Sequence, residues 1–319
     1  KSKKVNILIT RHDKIGDFIT SLPLFYVVKK SNPHAKIYAL VSKVNLDLAQ
    51  QADFIDEVIL YDKNYFWLTL RNIRAANISI SISAFIDTKI GWMLFLGGIK
   101  TRIAPATKLA QLFFNKTLKQ RRSLVEKTEV EYNLDLAKLL DEKIDLNYKI
   151  PLLKLDNKQQ FRSANHLKNK KLVLFHPGYG GSSDGNLALE DYLKLANAVR
   201  SVSNIQIIWV FGPDDLDAKD KIKALIPESD IIYHPSTVLD YCYLIRDGEL
   251  LISTSTGPMH LAGALNIKTV SFFGNNLFAS SKRWAAVSEA NKQLNIEIDK
   301  DYQQDFLEKI IDSAIQKLN

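Results

Sequence analysis

One cysteine in 319 residues, Cys242, excludes an internal disulfide. That scarcity fits a reducing cytosol. Cys242 lies in the apolar run Tyr241–Ile245, so a buried structural thiol is expected, not a nucleophile. No stretch approaches the roughly 18 uninterrupted apolar residues of a membrane span, and the greasiest segment, Ile90–Ile99, is too short. Lys1–Lys4 followed by Val5–Thr10 imitates a signal peptide, but the apolar run is brief and a charged cluster follows it directly. A buried first strand is expected there. No His/Cys cluster has zinc spacing. No Gly-Lys-Ser/Thr ending marks a Walker loop, and no Gly-x-Gly-x-x-Gly follows the first strand, which argues against a Rossmann oxidoreductase. Asp215-Leu-Asp217 has the spacing of an Asp-x-Asp metal site. It sits in an acidic helix start after Gly212-Pro213, where acids favour the first turn anyway, so no metal is expected.

What is present is an ordinary globular composition, 46% hydrophobic and 24% charged. The length suits two α/β domains. The net charge of +8 is uneven: residues 1–160 hold 26 Lys and Arg against 16 Asp and Glu, whereas residues 161–319 hold 17 against 19. A basic first half suits an anionic partner: nucleic acid, an acidic membrane surface or a phosphorylated glycolipid.

Periodicity predicts strands over Val5–Thr10, Lys36–Val41, Asp56–Tyr61 and Ile78–Ile82, with a helix over Phe18–Lys30 that has Pro23 near its start. Lys100–Lys127 reads as surface loops plus a short helix, Glu129–Leu140 as a helix, and Asn147–Asp156 as an extended connector. The alternation then restarts. Strands are expected over Lys171–Phe175, Ile205–Phe211, Asp230–Tyr233, Leu250–Ser253 and Thr269–Phe273, the last closing the sheet. Helices are expected over Glu190–Val199, Ala218–Leu225, Leu239–Ile245, Met259–Leu265 and Phe306–Leu318. This predicts an α/β fold of two Rossmann-like domains, 1–155 and 156–319, whose mostly parallel sheets face a central cleft. The terminal helix, about 302–318, is expected to return to the first domain.

Three stretches carry chemistry. Arg11-His-Asp-Lys-Ile-Gly-Asp17 follows the first strand. Gly16 permits a tight backbone, and Asp17 falls near a helix N-terminus, either as a cap or as a general base. Arg11 and Lys14 are candidates for holding phosphate, with Asp13 beside them, and His12 is expected to be structural. His176-Pro-Gly-Tyr-Gly-Gly-Ser-Ser183 follows the first strand of the second half, and its amides, with Ser182 and Ser183, suit an anion. Ser253-Thr-Ser-Thr-Gly-Pro-Met-His260 leads from a strand into a helix, which aims free N–H groups at a ligand; the alternative is a well-capped buried helix with a core histidine.

Together, Gly16-Asp17, His176-Pro177-Gly178 and Gly257-Pro258-Met259-His260, with Arg283-Trp284 after Phe273-Gly274, resemble glycosyltransferase family 9, the ADP-heptose:lipopolysaccharide heptosyltransferases. The resemblance implies a GT-B fold and an inverting, metal-independent transfer without a cofactor. In it Asp17 deprotonates the acceptor. Arg11, Asp13, Lys14 and Gly16 serve acceptor or phosphate binding. Ser182, Ser183, Ser255, Thr256, Gly257 and His260 surround the diphosphate of a nucleotide sugar, ADP-heptose. Asp215 meets the ribose, and the backbone near Ser236–Thr237 faces the base. The implied acceptor is an anionic glycolipid of Kdo–lipid A type. The implied setting is a cytoplasmic monomer in peripheral contact with the inner membrane, without nucleic acid. Two departures bear on the donor. Gly185 stands where the family often carries a lysine that neutralises the leaving diphosphate, with Arg11, Lys14, Lys282 and Arg283 as possible substitutes. Ser255 stands where many members have aspartate. The alternatives are a GT-B transferase of another nucleotide sugar and a non-catalytic binder of anionic glycans or nucleotides.

Overall fold

The structure, a computed structural model, describes residues 5–158, 160–178 and 185–319. The chain divides into two compact units, Lys1–Lys154 and Leu155–Asn319.

In the first unit, six parallel strands form one sheet among the described residues: β1 (Asn6–Thr10), β2 (Lys36–Ser42), β3 (Glu57–Tyr61), β4 (Ile80–Ser83), β5 (Thr101–Pro105) and β6 (Lys116–Leu118). Their order is β3-β2-β1-β4-β5-β6. β1 is apolar along its length because helices cover both its faces, and Ile7, Leu8 and Ile9 are fully buried. The helices are α1 (Ile15–Ser31), α2 (Leu46–Gln50), α3 (Phe66–Ala75), α4 (Thr88–Leu96) and α5 (Glu129–Asp135). Two expectations fail here. Lys100–Lys127 is not merely loop, since it supplies β5 and β6 at the sheet edge. The helix expected over Glu129–Leu140 tightens into a 3-10 turn at Leu136–Leu139. Moreover, α1 starts at Ile15, so Pro23 lies inside it, not in its first turn. Proline removes a helical hydrogen bond there. The Thr20 and Ser21 hydroxyls donate to the carbonyls of Asp17 (2.7 Å) and Phe18 (2.6 Å) one turn back, and the helix is held by burial along most of its length. α5 opens with a capping box between Thr128 and Glu131 and packs on α1, where Asn133 Nδ2 donates to Thr20 O at 3.1 Å.

The second unit repeats the plan. Its strands are β7 (Lys171–His176), β8 (Ile205–Val210), β9 (Ile231–Tyr233), β10 (Gly248–Thr254), β11 (Lys268–Gly274) and β12 (Gln293–Ile298), in the order β9-β8-β7-β10-β11-β12. β12 pairs outside β11, so β11 does not close the sheet. The helices are α6 (Gln160–Ala164), α7 (Leu189–Arg200), α8 (Leu216–Lys223), α9 (Val238–Asp247), α10 (Gly257–Ala264), α11 (Ser281–Trp284) and α12 (Gln304–Leu318). The apolar stripe of α12, Leu307, Ile310, Ala314 and Leu318, enters the core that β7, β8 and α7 build. The apolar stripe of the terminal helix therefore packs within its own unit.

In each sheet the strand order reverses beside the central strand, at β1/β4 and again at β7/β10. Connections leave such a point in opposite directions and open a crevice at the strand C-termini. Both sequence motifs that follow a first strand, and the one that follows β10, emerge at these points. No helix among the described residues is long and apolar enough to cross a membrane.

Ile310 is 2% exposed within the second unit's core. Ile310→Ala should cost about 2–5 kcal/mol, read as a lowered urea midpoint; an unchanged midpoint would remove α12 from that core.

Candidate active site

The chain leaves β1 through a turn pinned on both sides. Arg11 N–H donates to Leu40 O of β2 (3.1 Å), and Ala84 N–H donates to Thr10 O (3.1 Å). Thr10 Oγ1 also donates to Ser83 Oγ at 2.9 Å, which fastens the ends of β1 and β4. At this junction Arg11 is almost wholly buried, 2% exposed. Its Nε donates to Asp13 Oδ1 at 2.8 Å and its Nη2 to Asp17 Oδ1 at 2.6 Å, and Nη1 lies 3.6 Å from Glu129 Oε1. Burial opposes the guanidinium charge, but the three carboxylates outweigh it and hold the Arg11 pKa above its usual value. Glu129 also receives Arg122.

Asp17 is therefore not an N-cap. Lys14 holds that position, with no side-chain cap bond, and Asp17 stands in the first turn of α1. Its side chain keeps 20% of its surface in solvent and reaches off its own helix to Arg11. Burial pushes its pKa up, Arg11 pulls it down, and Asp13 and Glu129 push it up again. The net position is above the ordinary carboxylate value. A partly exposed carboxylate with a raised pKa is a better proton acceptor than a surface aspartate.

The rest of the turn serves to hold this group. Arg11 is committed to three carboxylates, and its bond to Asp17 fixes where that carboxylate lies. Asp13 bonds Arg11, and its carbonyl accepts from Ser42 Oγ (3.2 Å) and Asn45 Nδ2 (3.1 Å), which makes it part of the turn's framework. Gly16 sits within the first turn of α1, so the tight-turn role expected of it is not needed. Lys14 is exposed and remains available to a ligand. His12 is structural, as expected. Its Nε2 lies 3.0 Å from Asp87 Oδ2, its ring packs on Tyr61 and Phe85, and Asp87 in turn caps α4 through Ile90 N–H (2.7 Å). Burial acts to raise the Asp87 pKa, but the bonds from His12 and Ile90 prevail and hold it below the usual range. Glu129 was not foreseen. It lies far along the chain, and its one local signal is the capping box that starts α5 just before it.

In the second unit, His176 ends β7. Its Nδ1 donates to Val210 O at 3.1 Å, and burial lowers its pKa despite Asp215 nearby, so the ring is neutral. Asp215 precedes α8, is buried, and accepts from Gly212 N–H at 3.0 Å. A Cβ on Gly178 would lie 2.1 Å from Asp215 Oδ1. The His-Pro-Gly loop thus needs glycine because a carboxylate from the neighbouring loop occupies that space. Asp215 faces Gly178 and Gly212, and among the described residues no group of three His, Cys, Asp or Glu side chains could hold a metal.

Thr254 Oγ1 donates to Gly178 O at 2.8 Å, which joins the end of β10 to the same loop. Ser255 N–H is taken by Phe272 O (2.9 Å). Thr256 is the N-cap of α10 yet makes no side-chain cap bond, and Gly257 and Pro258 begin the helix. His260, one turn in, is buried against Trp284; burial pushes its pKa down to about 4, and its Nδ1 has no partner among the described residues. A neutral imidazole there offers a hydrogen bond and no charge. β7 and β10 are adjacent strands, so Gly178, Asp215, Ser255, Thr256, Gly257 and His260 all belong to the β7/β10 junction and its flanks. Thr237 is farther along the strand ends, and its hydroxyl is committed to a capping box with Asp240 at the start of α9. Ser182 and Ser183 lie outside the described residues. Gly185 is packed so that a Cβ would fall 2.2 Å from Phe273 O, a backbone atom, so the position cannot take a lysine unless the loop moves off β11. Cys242 is buried, and burial pushes its thiol up to about 12, as a structural residue requires.

The description "Glycosyltransferase family 9 (heptosyltransferase)" matches residues 71–310. A candidate glycosyltransferase of Haemophilus influenzae is 33% identical over 304 residues, covering 90% of this chain and 88% of its own. Lipooligosaccharide heptosyltransferase 2 of Campylobacter jejuni is 22% identical over 277 residues, covering 85% and 82%. The solved structure of Escherichia coli ADP-heptose lps heptosyltransferase II superposes with a TM-score of 0.81 at 17% identity, covering 98% of each chain. Two parallel six-stranded sheets with interleaved helices, matched over the full length, make this a GT-B fold.

Because the folded state raises the Asp17 pKa, ionised Asp17 opposes folding. Its contribution is favourable below the unfolded carboxylate pKa and is lost as pH rises through the folded value. Asp17→Asn should therefore raise Tm at neutral pH, with the difference vanishing in acid. A lowered Tm at neutral pH would contradict this assignment of charge.

Proposed function

The chain belongs to glycosyltransferase family 9 and is a glycosyltransferase, and on that premise we propose that it moves a heptose from ADP-heptose to the inner-core sugar of a Kdo–lipid A type glycolipid, with inversion, at the cytosolic face of a membrane. The observation that carries the proposal is the state of Asp17: a carboxylate with a raised pKa, partly open to solvent, at the β1/β4 crevice and held from behind by Arg11. Ionised, it accepts the proton of the acceptor hydroxyl as that oxygen attacks the anomeric carbon. The bond from that carbon to the diphosphate breaks, and ADP leaves with the negative charge. On the second unit, the uncapped start of α10 offers main-chain N–H groups and the positive end of the helix dipole to this charge. Thr256 and Ser255 add hydroxyls, neutral His260 adds a ring nitrogen, and Ser182 and Ser183 are assigned to the same diphosphate. Asp215 is assigned to the ribose and the Ser236–Thr237 backbone to the base. No metal or cofactor enters this scheme, and the enzyme works as a monomer.

The missing lysine at Gly185 supports keeping a second donor in view. With Arg11 committed to carboxylates, the substitute cations are Lys14, Lys282 and Arg283. Should none of them reach the leaving group, the same fold would serve a different nucleotide sugar. The similarity to lipooligosaccharide heptosyltransferase 2 of Campylobacter jejuni supports heptose, whereas the description of the Haemophilus influenzae relative names no donor.

Asp17→Asn should leave ADP binding by calorimetry within about twofold of wild type, while turnover falls by about 10²–10⁴-fold. Unchanged turnover would remove Asp17 from the chemistry. In the same assay ADP should bind more tightly than UDP or GDP; a reversed order keeps the transferase and replaces the donor.

A further inference from the structure

The first unit carries an exposed apolar surface spread over three adjoining elements. α3, α4 and the 3-10 turn Leu109–Phe113 form one layer over the sheet. Their inner side chains, Leu70 and Ile73, Ile90, Met93 and Leu94, and Ala110, share one core cluster. Their outer side chains are large and apolar too. Trp67 is 74% exposed, Leu109 82% and Leu112 80%, and Leu68, Trp92 and Phe95 are exposed beside them. Single exposed apolar residues need no explanation, but six on three adjoining elements mark an interaction surface. The platform is firm. Trp92 and Phe95 stack with ring centroids 5.9 Å apart, Trp92 meets Phe113 edge-on, and Arg74 Nη2 donates to Leu96 O at 2.9 Å, which ties α3 to the end of α4.

Charge decides what covers this face. Between Lys63 and Lys119 the sequence holds nine Lys or Arg and one acid, Asp87, which is already engaged by His12 and the start of α4. Arg71 and Arg74 follow Trp67 at helical spacing on one face of α3. Lys89 and Lys108 are exposed next to Trp92 and Leu109, and the Arg102 guanidinium lies 5.4 Å from the Phe95 ring centroid. Exposed tryptophan and leucine among long cationic side chains match the boundary between acyl chains and anionic headgroups: the rings and leucines enter, and the lysines and arginines stay at the phosphates. A protein–protein interface is depleted of lysine relative to the rest of the surface. We infer that the α3–α4–Leu109–Phe113 face docks on an anionic lipid bilayer. The inference deepens the proposed glycolipid acceptor, which is itself anchored in such a bilayer, and to that extent rests on it.

Co-sedimentation of the whole chain with vesicles tests the docking without any acceptor present. Wild type should pellet with vesicles of phosphatidylcholine plus phosphatidylglycerol, less so at high salt, and not with phosphatidylcholine alone. The double substitution Trp67→Ser, Leu112→Ser should lower partitioning about tenfold or more. Arg71→Glu should weaken the response to phosphatidylglycerol. Both variants should melt as wild type does, because the replaced side chains are exposed, and transfer to a water-soluble acceptor fragment should be unchanged. Failure of wild type to bind anionic vesicles, equal binding to both vesicle types, or full binding by the variants would overturn the inference. So would a concentration-dependent dimer in sedimentation velocity that the same substitutions abolish, since the face would then meet a second copy of the chain. Absent transfer to the soluble fragment by a protein that still binds vesicles would count against the proposed function and leave the docking standing.

Discussion

A guanidinium stripped of water must be neutralised where it lies, because desolvating an ion costs several kcal/mol. Around Arg11 that requirement gathers Asp13 from the same turn, Asp17 from the first turn of α1 and Glu129 from the start of α5. One buried cation thus fixes the exit of β1, the origin of α1 and the docking of α5. Burial pushes the Asp17 pKa up, and Asp13 and Glu129 add to that push against the pull of Arg11; Asp17 is the member of the set in the first turn of a helix at the β1/β4 junction. Under the proposed function, stability and chemistry are opposed at this residue.

The second unit uses the same strand order to build a different environment. At its β7/β10 junction no buried guanidinium cluster occurs among the described residues. The described groups include main-chain amides, hydroxyls, the neutral histidines His176 and His260, and the buried carboxylate of Asp215, in contact distance of the glycine at position 178. Such a set accommodates a ligand that brings its own negative charge. Two junctions of identical topology, one rich in carboxylates and one rich in N–H and O–H donors, are what the proposed division between base and donor site asks of a GT-B scaffold.

Much of this is legible in the amino-acid sequence alone. Strands buried on both faces read as apolar runs, so β1, β2, β7, β8 and β10 were visible, and the helices between them followed from spacing. β5, β6 and β12 were not: β5 ends in proline, β6 is three residues long, and β12, Gln293–Ile298, alternates polar and apolar residues. Asp17 stood out because five ionisable groups share one short turn. The surroundings of Arg11 did not, since a sequence shows a cation and hides how many anions surround it; Glu129 is supplied by another helix. The glycine at 178 was legible as a loop residue, but the carboxylate that demands it comes from the loop after β8. The use of Pro23 inside α1 was misjudged because the helix begins one turn earlier than its apolar spacing suggested.

The state of Asp17 is the quantity on which both the fold of the first junction and the proposed chemistry turn. A titration of its carboxyl carbon by NMR in the full chain, assigned by the loss of the signal in Asp17→Asn, reads that state directly. The midpoint should lie above the ordinary 3.8 of an aspartate. A midpoint at or below that value would mean that Arg11 simply neutralises Asp17 as one half of a salt bridge, and the poised base would not exist.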